Sequence, residues 1–91
     1  MKTFTKDPDA KLDYTVDWTD FLAAASDTIS ASSFISSSDD LTLEDESMLD
    51  GIHTVFVSGG TLNEVYRVTS RIETVGGRIN DNSLRLLIKE T

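Results

Sequence analysis

The stretch VFVSGGTLNEVYRV, residues 55–68, contains two strand patterns separated by a glycine pair. Val55 and Val57 share one side of the first pattern, and Tyr66 opens the second. Alternate side chains of a strand point to opposite faces of a sheet, and adjacent glycines are typical of a tight turn. The stretch therefore predicts two strands joined by a turn, with the valines and the tyrosine in a shared core.

This arrangement resembles a corner found in immunoglobulin-like and fibronectin type III domains. There, a tyrosine at the head of the penultimate strand folds its ring into the core and bonds its hydroxyl to nearby backbone. Tyr66 stands at the matching position of this chain. The resemblance implies an all-β fold, a small immunoglobulin-like or fibronectin type III-like antiparallel β-sandwich of about seven strands. It is silent on function, because this fold serves many functions.

Further strand patterns flank this stretch. KLDYTVDW, residues 11–18, alternates strictly and predicts a strand whose core residues are Leu12, Tyr14, Val16 and Trp18. The segment FLAAA is too short to be stable as an isolated helix, so Phe21 and Leu22 are expected to close one end of the core. The pair Gly76–Gly77 predicts a hairpin. The other candidate strands are residues 26–38, 41–43, 53–58, 64–74 and 83–90.

The predicted organisation is an N-terminal arm over residues 1–9 and one immunoglobulin-like domain over residues 10–91. Pro8 disfavours helix at the residue before it, and the neighbouring residues are mostly polar. A chain of 91 residues provides one core. Residues 44–50, EDESMLD, are predicted to form a charged loop that ends at Gly51.

The composition excludes several classes of function. The chain contains no cysteine, so disulfides and thiolate metal sites are excluded. Its apolar runs are far shorter than the roughly 20 residues of a membrane span, and its N-terminus lacks the apolar stretch of a secretion signal. A net charge of −8 disfavours binding to nucleic acid. We therefore expect synthesis in a reducing cytoplasm and no membrane or nucleic-acid partner.

The charge is unevenly distributed along the chain. Residues 1–50 contain twelve acidic and three basic residues, whereas residues 51–91 contain four acidic and five basic residues. One interpretation is a solvated acidic face that keeps a small domain soluble. The other is that oppositely charged ends of neighbouring copies meet. The sequence leaves both open.

No pattern of catalytic or cofactor-binding residues is present. His53, the single histidine, shares its side of a strand with Val55 and Val57, which predicts a histidine at the edge of the core. The serines lack a GxSxG motif. The acidic stretches DPDAKLD and DDLTLEDE lack the EF-hand spacing, so solvated carboxylates are expected, with weak calcium binding as the alternative. We predict a protein that is not an enzyme, with no catalytic residues, no metal and no cofactor.

The candidate functional residues therefore lie on the surface. Phe56 and Leu87 alternate with core residues, so both are expected to face away from the core. Singly exposed apolar residues are ordinary on protein surfaces, and contact with another subunit is the alternative interpretation. The arm and the exposed sheet edges can dock a partner, either by strand addition or by ordering on it. The candidate subunit-contact residues are Asp7, Pro8, Asp9, Glu44, Asp45, Glu46, Phe56 and Leu87.

KDPDAKLDYTVDWTDFL, then DTI, then SGGT…Y.V….I.T.GGR..D.S form a longer series of landmarks over residues 6–89. In order and spacing this series resembles the small bacteriophage proteins described as fiber–tail adaptors. Two departures concern Phe21, where a second tryptophan is frequent, and residues 44–50, which are more acidic than the family pattern. The matching residues are Leu12, Asp13, Tyr14, Asp17, Trp18, Phe21 and Leu22, then Asp27, Thr28 and Ile29, then Ser58, Gly59, Gly60, Thr61, Tyr66, Val68, Ile72, Thr74, Gly76, Gly77, Arg78, Asp81 and Ser83.

The resemblance implies a non-enzymatic virion protein that is made in the host cytoplasm and links fibers or other appendages to the tail or neck. It also implies multiple copies around the tail axis and contacts with tail, neck or fiber subunits. The alternative is a free-standing immunoglobulin-like recognition module that binds a carbohydrate or a cell-surface ligand. That function requires aromatic residues exposed at one end of the sandwich, and most of the seven aromatic residues are assigned to the core.

Overall fold

The computed structural model describes residues 2–90, which form two packed β-sheets and one short helix. The order of strands is β1-β7-β6-β3 in the four-stranded sheet and β2-β5-β4 in the three-stranded sheet. The predicted all-β sandwich of about seven strands is confirmed. The elements are β1 (Lys2–Lys6), β2 (Leu12–Asp17), α1 (Thr19–Ala24), β3 (Ile29–Ser36), β4 (Leu41–Leu49), β5 (Ile52–Gly59), β6 (Val65–Thr74) and β7 (Ile79–Ile88).

The strand order follows that of a constant-type immunoglobulin domain in every strand but the first. In such a domain the first, second, fourth and fifth strands form one sheet, and the third, sixth and seventh form the other. Here β2, β4 and β5 share one sheet and β3, β6 and β7 share the other. However, β1 runs parallel to β7 instead of pairing with β2. Within residues 2–90, the edge of β2 that the first strand would cover is therefore left open.

The core lies between the sheets and is built from the alternating residues that the sequence indicates. Tyr14, Val16 and Trp18 are buried as predicted, but Leu12 is 41% exposed because it begins an edge strand at the end of the sandwich. The buried hydrophobic residues are Tyr14, Val16, Trp18, Leu41, Val55, Val57, Tyr66, Val68, Ile72, Leu84, Leu86 and Ile88.

The tyrosine corner is present. Tyr66 is buried, and its hydroxyl accepts a hydrogen bond from the Thr61 backbone N–H at 2.9 Å. The same hydroxyl donates to Asp40 Oδ2 at 3.0 Å. The predicted bond to nearby backbone is confirmed, and the bond to Asp40 adds a link to the segment that leads into β4.

The segment predicted as an N-terminal arm is mostly part of the sandwich. Met1 lies outside the described residues, and Lys2–Lys6 forms β1, in register with residues 84–88 of β7. The prediction of an arm is therefore wrong for residues 2–6. The physical reason is that two side chains of this segment contact the sandwich: the Phe4 ring packs on Tyr14, with ring centroids 5.2 Å apart, and the Lys6 side chain is fully buried.

The residues predicted as a charged loop are also mostly a strand. β4 runs through Leu41–Leu49, with a β-bulge between Glu44 and Ser47 that interrupts the pairing with β5. Asp50 and Gly51 form the connecting turn, and both have positive φ angles, of 51° and 82°. Two consecutive positive φ angles define a type I′ hairpin, for which Asp-Gly is a favoured pair. Three consecutive acidic residues, Glu44, Asp45 and Glu46, are therefore part of a strand, at the place where the bulge interrupts its pairing and the side chains are exposed.

One end of the sandwich is closed by the short helix α1. Phe21 packs edge-on against Trp18, with ring centroids 5.5 Å apart, and Leu22 joins the same cluster of hydrophobic residues. The prediction that these two residues close the core is confirmed. Their segment is helical because it packs on Trp18 rather than standing alone in water. No helix in the described part of the chain is long and apolar enough to cross a membrane.

Candidate binding surfaces

The outer face of the three-stranded sheet is acidic. Asp13, Phe56 and Glu44 lie side by side across β2, β5 and β4, so the Phe56 ring is flanked by two carboxylates. Lys11 lies over this row: its ammonium is 5.7 Å from the centre of the Phe56 ring and 3.4 Å from Glu44 Oε2. It also lies 3.5 Å from Asp45 Oδ2. We call Asp13, Asp17, Glu44, Asp45 and Phe56 the acidic face.

Lys11 holds the candidate residues of the acidic face together. Its hydrogen bond to Glu44, together with that carboxylate's charge, raises the pKa of the Lys11 ammonium. The charged ammonium over the Phe56 ring is a cation–π arrangement, with 5.7 Å between Nζ and the ring centre. Phe56 faces away from the core and is half-buried under this cover.

The outer face of the four-stranded sheet carries arginines. Arg67 and Arg85 are directly paired across β6 and β7. Neither side chain has an ion pair among residues 2–90. Cross-strand partners have Cβ atoms about 4.5–5.5 Å apart, so two like charges at such positions destabilise the sheet. Leu87 and Val65 form the neighbouring cross-strand pair.

A third arginine on this face is neutralised. Arg71 Nε and Nη2 donate to the two carboxylate oxygens of Asp81 at 2.8 and 3.0 Å. This hydrogen bonding lowers the pKa of Asp81 and raises that of Arg71. The positive charge without a partner is therefore concentrated at Arg67 and Arg85. We call Val65, Arg67, Arg71, Arg85 and Leu87 the arginine face.

The structure separates the candidate contact residues into four places. Glu44, Asp45 and Phe56 come together on the acidic face, whereas Leu87 lies on the opposite side of the sandwich. Glu46 does not join the acidic face, because beyond the bulge its carboxylate bonds to His53. The remaining candidates, Asp7, Pro8 and Asp9, form a turn closed by a bond from the Ala10 N–H to Asp7 O at 3.1 Å.

The turn at residues 7–9 is anchored by a buried lysine. Lys6 Nζ donates to the backbone oxygens of Asp7, at 2.9 Å, and Gly59, at 2.8 Å. Burial lowers the pKa of the Lys6 ammonium, which the nearby Asp7 and Asp9 charges partly oppose. The lysine thus joins the end of β1 to the end of β5 and fixes the position of the turn.

A chain of hydrogen bonds crosses the core. Ser70 Oγ accepts from Trp18 Nε1 at 2.9 Å and lies 2.6 Å from His53 Nδ1. His53 Nε2 lies 2.6 Å from Glu46 Oε1, and the imidazole stacks on Phe34 with centroids 3.9 Å apart. His53 was predicted at the edge of the core, and it is fully buried.

This serine, histidine and glutamate follow the order of a hydrolytic triad, but their surroundings give them another role. A nucleophilic serine needs access to substrate. Ser70 is fully buried, and its oxygen already accepts from the Trp18 indole. The arrangement satisfies polar groups in the core and ties the bulge of β4 to β5 and β6. Residues 2–90 contain no group of three or more His, Cys, Asp or Glu side chains placed to hold a metal ion.

The chain matches the family model Gp77, described as podophage GP4 fiber-tail adaptor protein gp77, over residues 6–87. The chain belongs to this adaptor family. The resemblance inferred from the order of the landmarks is therefore confirmed. Membership supports a role as a phage tail adaptor, in the tail of the virion and in contact with other tail proteins. A search of curated proteins finds no match to the chain.

Three charged surface residues of the chain were not predicted from the sequence as contact residues. Lys11, Arg67 and Arg85 were not among the candidates, although the alternation contained a signal for two of them. Arg67 alternates with Tyr66 and Val68, which the corner places in the core, so its outward position followed from the pattern. The pairing register between β6 and β7 brings Arg67 opposite Arg85, and this register depends on the tertiary structure.

Proposed function

We propose that this protein is a non-enzymatic structural subunit of a podophage virion that links fibers or other appendages to the tail. It acts by binding, with copies repeated around the tail axis, and its partners are tail, neck or fiber proteins rather than nucleic acid or membrane. It is made in the host cytoplasm and joins the particle there. The family match over residues 6–87 is the starting point of this proposal.

The observation that carries the proposal is the presence of unlike faces on opposite sides of one small domain. An adaptor must contact two partners at once. The acidic face lies on the outside of one sheet and the arginine face on the outside of the other, with the core between them. A partner on one face therefore leaves the other face free. Complementary charge favours correct pairing and suppresses wrong partners.

Repetition around an axis explains why such faces can be small. A symmetric ring repeats the same contact at each copy, so that modest contacts add up by avidity. The Cα positions of the chain extend over 42 × 22 × 18 Å. Its broad sides are of a size suited to a standard interface of roughly 800 Å² per partner. The uneven charge of the sequence supports contacts between unlike surfaces as well as solubility.

The alternative of a free-standing carbohydrate-binding module has less support. Stacking on sugar rings requires exposed aromatic side chains near each other. Trp18, Tyr14 and Tyr66 are buried, and Phe56 is covered by Lys11. Phe4 is 37% exposed, but its ring packs on Tyr14.

The test is the protein content of purified particles. We expect mass spectrometry to find the chain at a fixed copy number per particle, and its absence from intact particles overturns the proposal. Charge reversal then tests the faces: Arg85→Glu is expected to lower the copy number at least several-fold. Lys89→Glu makes the same change of charge just beyond β7 and serves as the control. Equal incorporation of both variants contradicts a role for the arginine face.

A further inference from the structure

The open edge of β2 is a feature of the structure that neither the acidic face nor the arginine face explains. β2 ends the three-stranded sheet on one side, because β1 pairs with β7 in the other sheet. Trp18 N–H donates to Gly51 O, in the same register that pairs Val16 with His53 and Tyr14 with Val55. Alternate residues of an antiparallel strand point their backbone groups to opposite sides. The N–H and C=O groups of Asp13, Thr15 and Asp17 therefore face the open edge.

A groove runs along this edge. It has a volume of about 540 Å³ and lies between β2 and the edge of the other sheet, where Lys2 and Phe4 of β1 and residues 82–84 of β7 form its wall. In the described part of the chain, β1 pairs with residues 84–88 of β7, and no described strand pairs with residues 79–83 on that side. The groove is thus bounded by two open stretches of sheet edge, one in each layer of the sandwich.

One residue of this groove carries a buried polar atom that has no partner within residues 2–90. Tyr14 is 8% exposed and lines the groove, and its hydroxyl makes no hydrogen bond within residues 2–90. Burial raises the pKa of this hydroxyl, which therefore remains a donor at neutral pH. Buried hydroxyl groups in folded proteins nearly always have a hydrogen-bond partner. The unsatisfied hydroxyl therefore belongs to a residue of the same edge strand whose backbone groups face outward.

We propose that the edge of β2 receives an extended segment of a neighbouring tail protein, which pairs with β2 in the position that the first strand of an immunoglobulin domain occupies. This inference rests on the proposed adaptor function and names the contact by which one partner is held. Backbone hydrogen bonds provide affinity in strand addition, and alternate side chains provide specificity. An exposed edge is otherwise a site of unwanted pairing, so a partner that covers it also protects it.

The edge indicates the chemistry of the segment. Phe4, Tyr14 and Val16 line the inner side of the groove, so alternate residues of the segment are apolar. Asp13 and Asp17 stand on the outer side of β2, which favours lysine or arginine at the intervening positions. The segment is therefore an extended strand with alternating apolar and basic residues.

Proline at Thr15 tests the pairing directly. Thr15→Pro removes the N–H that points to the open edge. It does not remove any hydrogen bond within the sheet, and edge strands tolerate proline at such positions. Thr15→Val changes the same side chain but keeps the N–H. With both variants folded by circular dichroism, we expect Thr15→Val at the copy number of the original chain in purified particles and Thr15→Pro reduced at least tenfold. Equal copy numbers overturn the inference.

Hydrogen exchange on the unaltered chain provides a second measurement. In the isolated protein the amides of Asp13, Thr15 and Asp17 are expected to exchange much faster than those of Tyr14 and Val16. In particles, the peptide covering residues 11–18 is expected to become protected. Unchanged exchange in particles overturns the inference, even if Thr15→Pro does not fold. Protection that appears in the isolated protein as its concentration rises assigns the edge to a second copy and also overturns it.

The two proposals fail in different ways. Absence of the original chain from particles contradicts the adaptor function itself. Presence of the original chain and of Thr15→Pro at equal copy number contradicts only strand addition at β2, and leaves the acidic and arginine faces as the docking surfaces.

Discussion

Trp18 donates its indole N–H to Ser70 Oγ at 2.9 Å, across the space between the two sheets. Trp18 directly follows β2 in one sheet, and Ser70 lies on β6 in the other. The bond is continued through His53 to Glu46 at the bulge of β4. One line of polar contacts therefore joins the residue after β2 to the acidic segment of β4, across a core that is mainly hydrophobic.

Removing the middle of this line is expected to destabilise the fold. Ser70→Ala leaves the Trp18 indole N–H and His53 Nδ1 buried without partners, and each such group costs about 1–3 kcal/mol. We expect a loss of about 2–4 kcal/mol in the free energy of unfolding, measured by urea titration. Ser83→Ala removes a bond at the half-buried outer surface and is the control. Equal losses for both variants contradict the role given to Ser70.

The tautomer of His53 follows from the same contacts. The Trp18 indole can only donate, so Ser70 Oγ accepts from it, and the Ser70 hydrogen is left available to His53 Nδ1. Nδ1 is then an acceptor, and Nε2 carries the hydrogen that Glu46 accepts. We predict that Nε2, and not Nδ1, carries the ring hydrogen. Because the chain has a single histidine, its ¹⁵N chemical shifts report this site alone. A proton on Nδ1 contradicts the assignment.

The fold follows from the sequence where residues alternate between a core side and a solvent side. The strict patterns at residues 11–18 and 64–74 predicted β2 and β6. With such alternation, only one placement of each strand puts all its apolar side chains in the core. The prediction was wrong for residues 44–50, where the consecutive acidic residues at the bulge do not alternate with apolar residues as a strand pattern requires. Asp50–Gly51 was the local signal for this strand that was missed, since this pair favours a two-residue hairpin.

The candidate site was less accessible to sequence reasoning, because it depends on pairing between distant segments. Parity placed Phe56 and Leu87 on the outside, as the structure has them, but not on opposite faces of the sandwich. Which sheet holds each strand is decided by topology. Glu46 was grouped with Glu44 by proximity in sequence, and the bulge turns it to His53. The parallel pairing of β1 with β7 had no local signal.

The two buried tyrosines are expected to respond differently to loss of the hydroxyl group. Tyr66→Phe removes the acceptor of the Thr61 N–H and the donor to Asp40, at a cost of about 1–3 kcal/mol. Tyr14→Phe removes a hydroxyl without a partner in the described chain, so the isolated protein is expected to be unchanged or more stable. Thermal unfolding separates them, because 1 kcal/mol shifts Tm by roughly 4–8 °C in a domain of this size. A larger loss for Tyr14→Phe contradicts the hydrogen-bond assignment.

The buried lysine is expected to matter through its backbone contacts. Lys6→Met keeps most of the side-chain volume but leaves the Asp7 and Gly59 oxygens without their donor, so we expect a loss of about 1–2 kcal/mol at pH 7. In the folded protein the pKa of Lys6 lies below 10.5. Just below pH 10.5, Lys6 is therefore protonated to a greater extent in the unfolded chain than in the folded protein. The advantage of the original chain over Lys6→Met therefore grows as the pH rises toward 10.5. Lys2→Met, at an exposed position, is the control; an equal loss there contradicts the prediction.

Asp27 is expected to make the stability of the fold sensitive to acid. Its carboxylate accepts from the Gly76 N–H at 3.0 Å and from Arg78 Nε at 3.1 Å, at the turn between β6 and β7. Hydrogen bonding to Thr74, and then to backbone N–H groups and Arg78, lowers the pKa of Asp27 from 3.8 to about 2.

The sign of the effect follows from the direction of this shift. A pKa that is lower in the folded state gives stability that is complete above pH 3.8 and is lost as the pH falls through about 2. Asp27→Asn lacks this contribution at every pH. We therefore expect the original chain to exceed Asp27→Asn in free energy of unfolding by a constant amount from pH 7 to about pH 5, and by progressively less toward pH 2. Urea titrations of both proteins across this range measure the difference directly. A difference that stays constant down to pH 2 contradicts the hydrogen bonds assigned to Asp27.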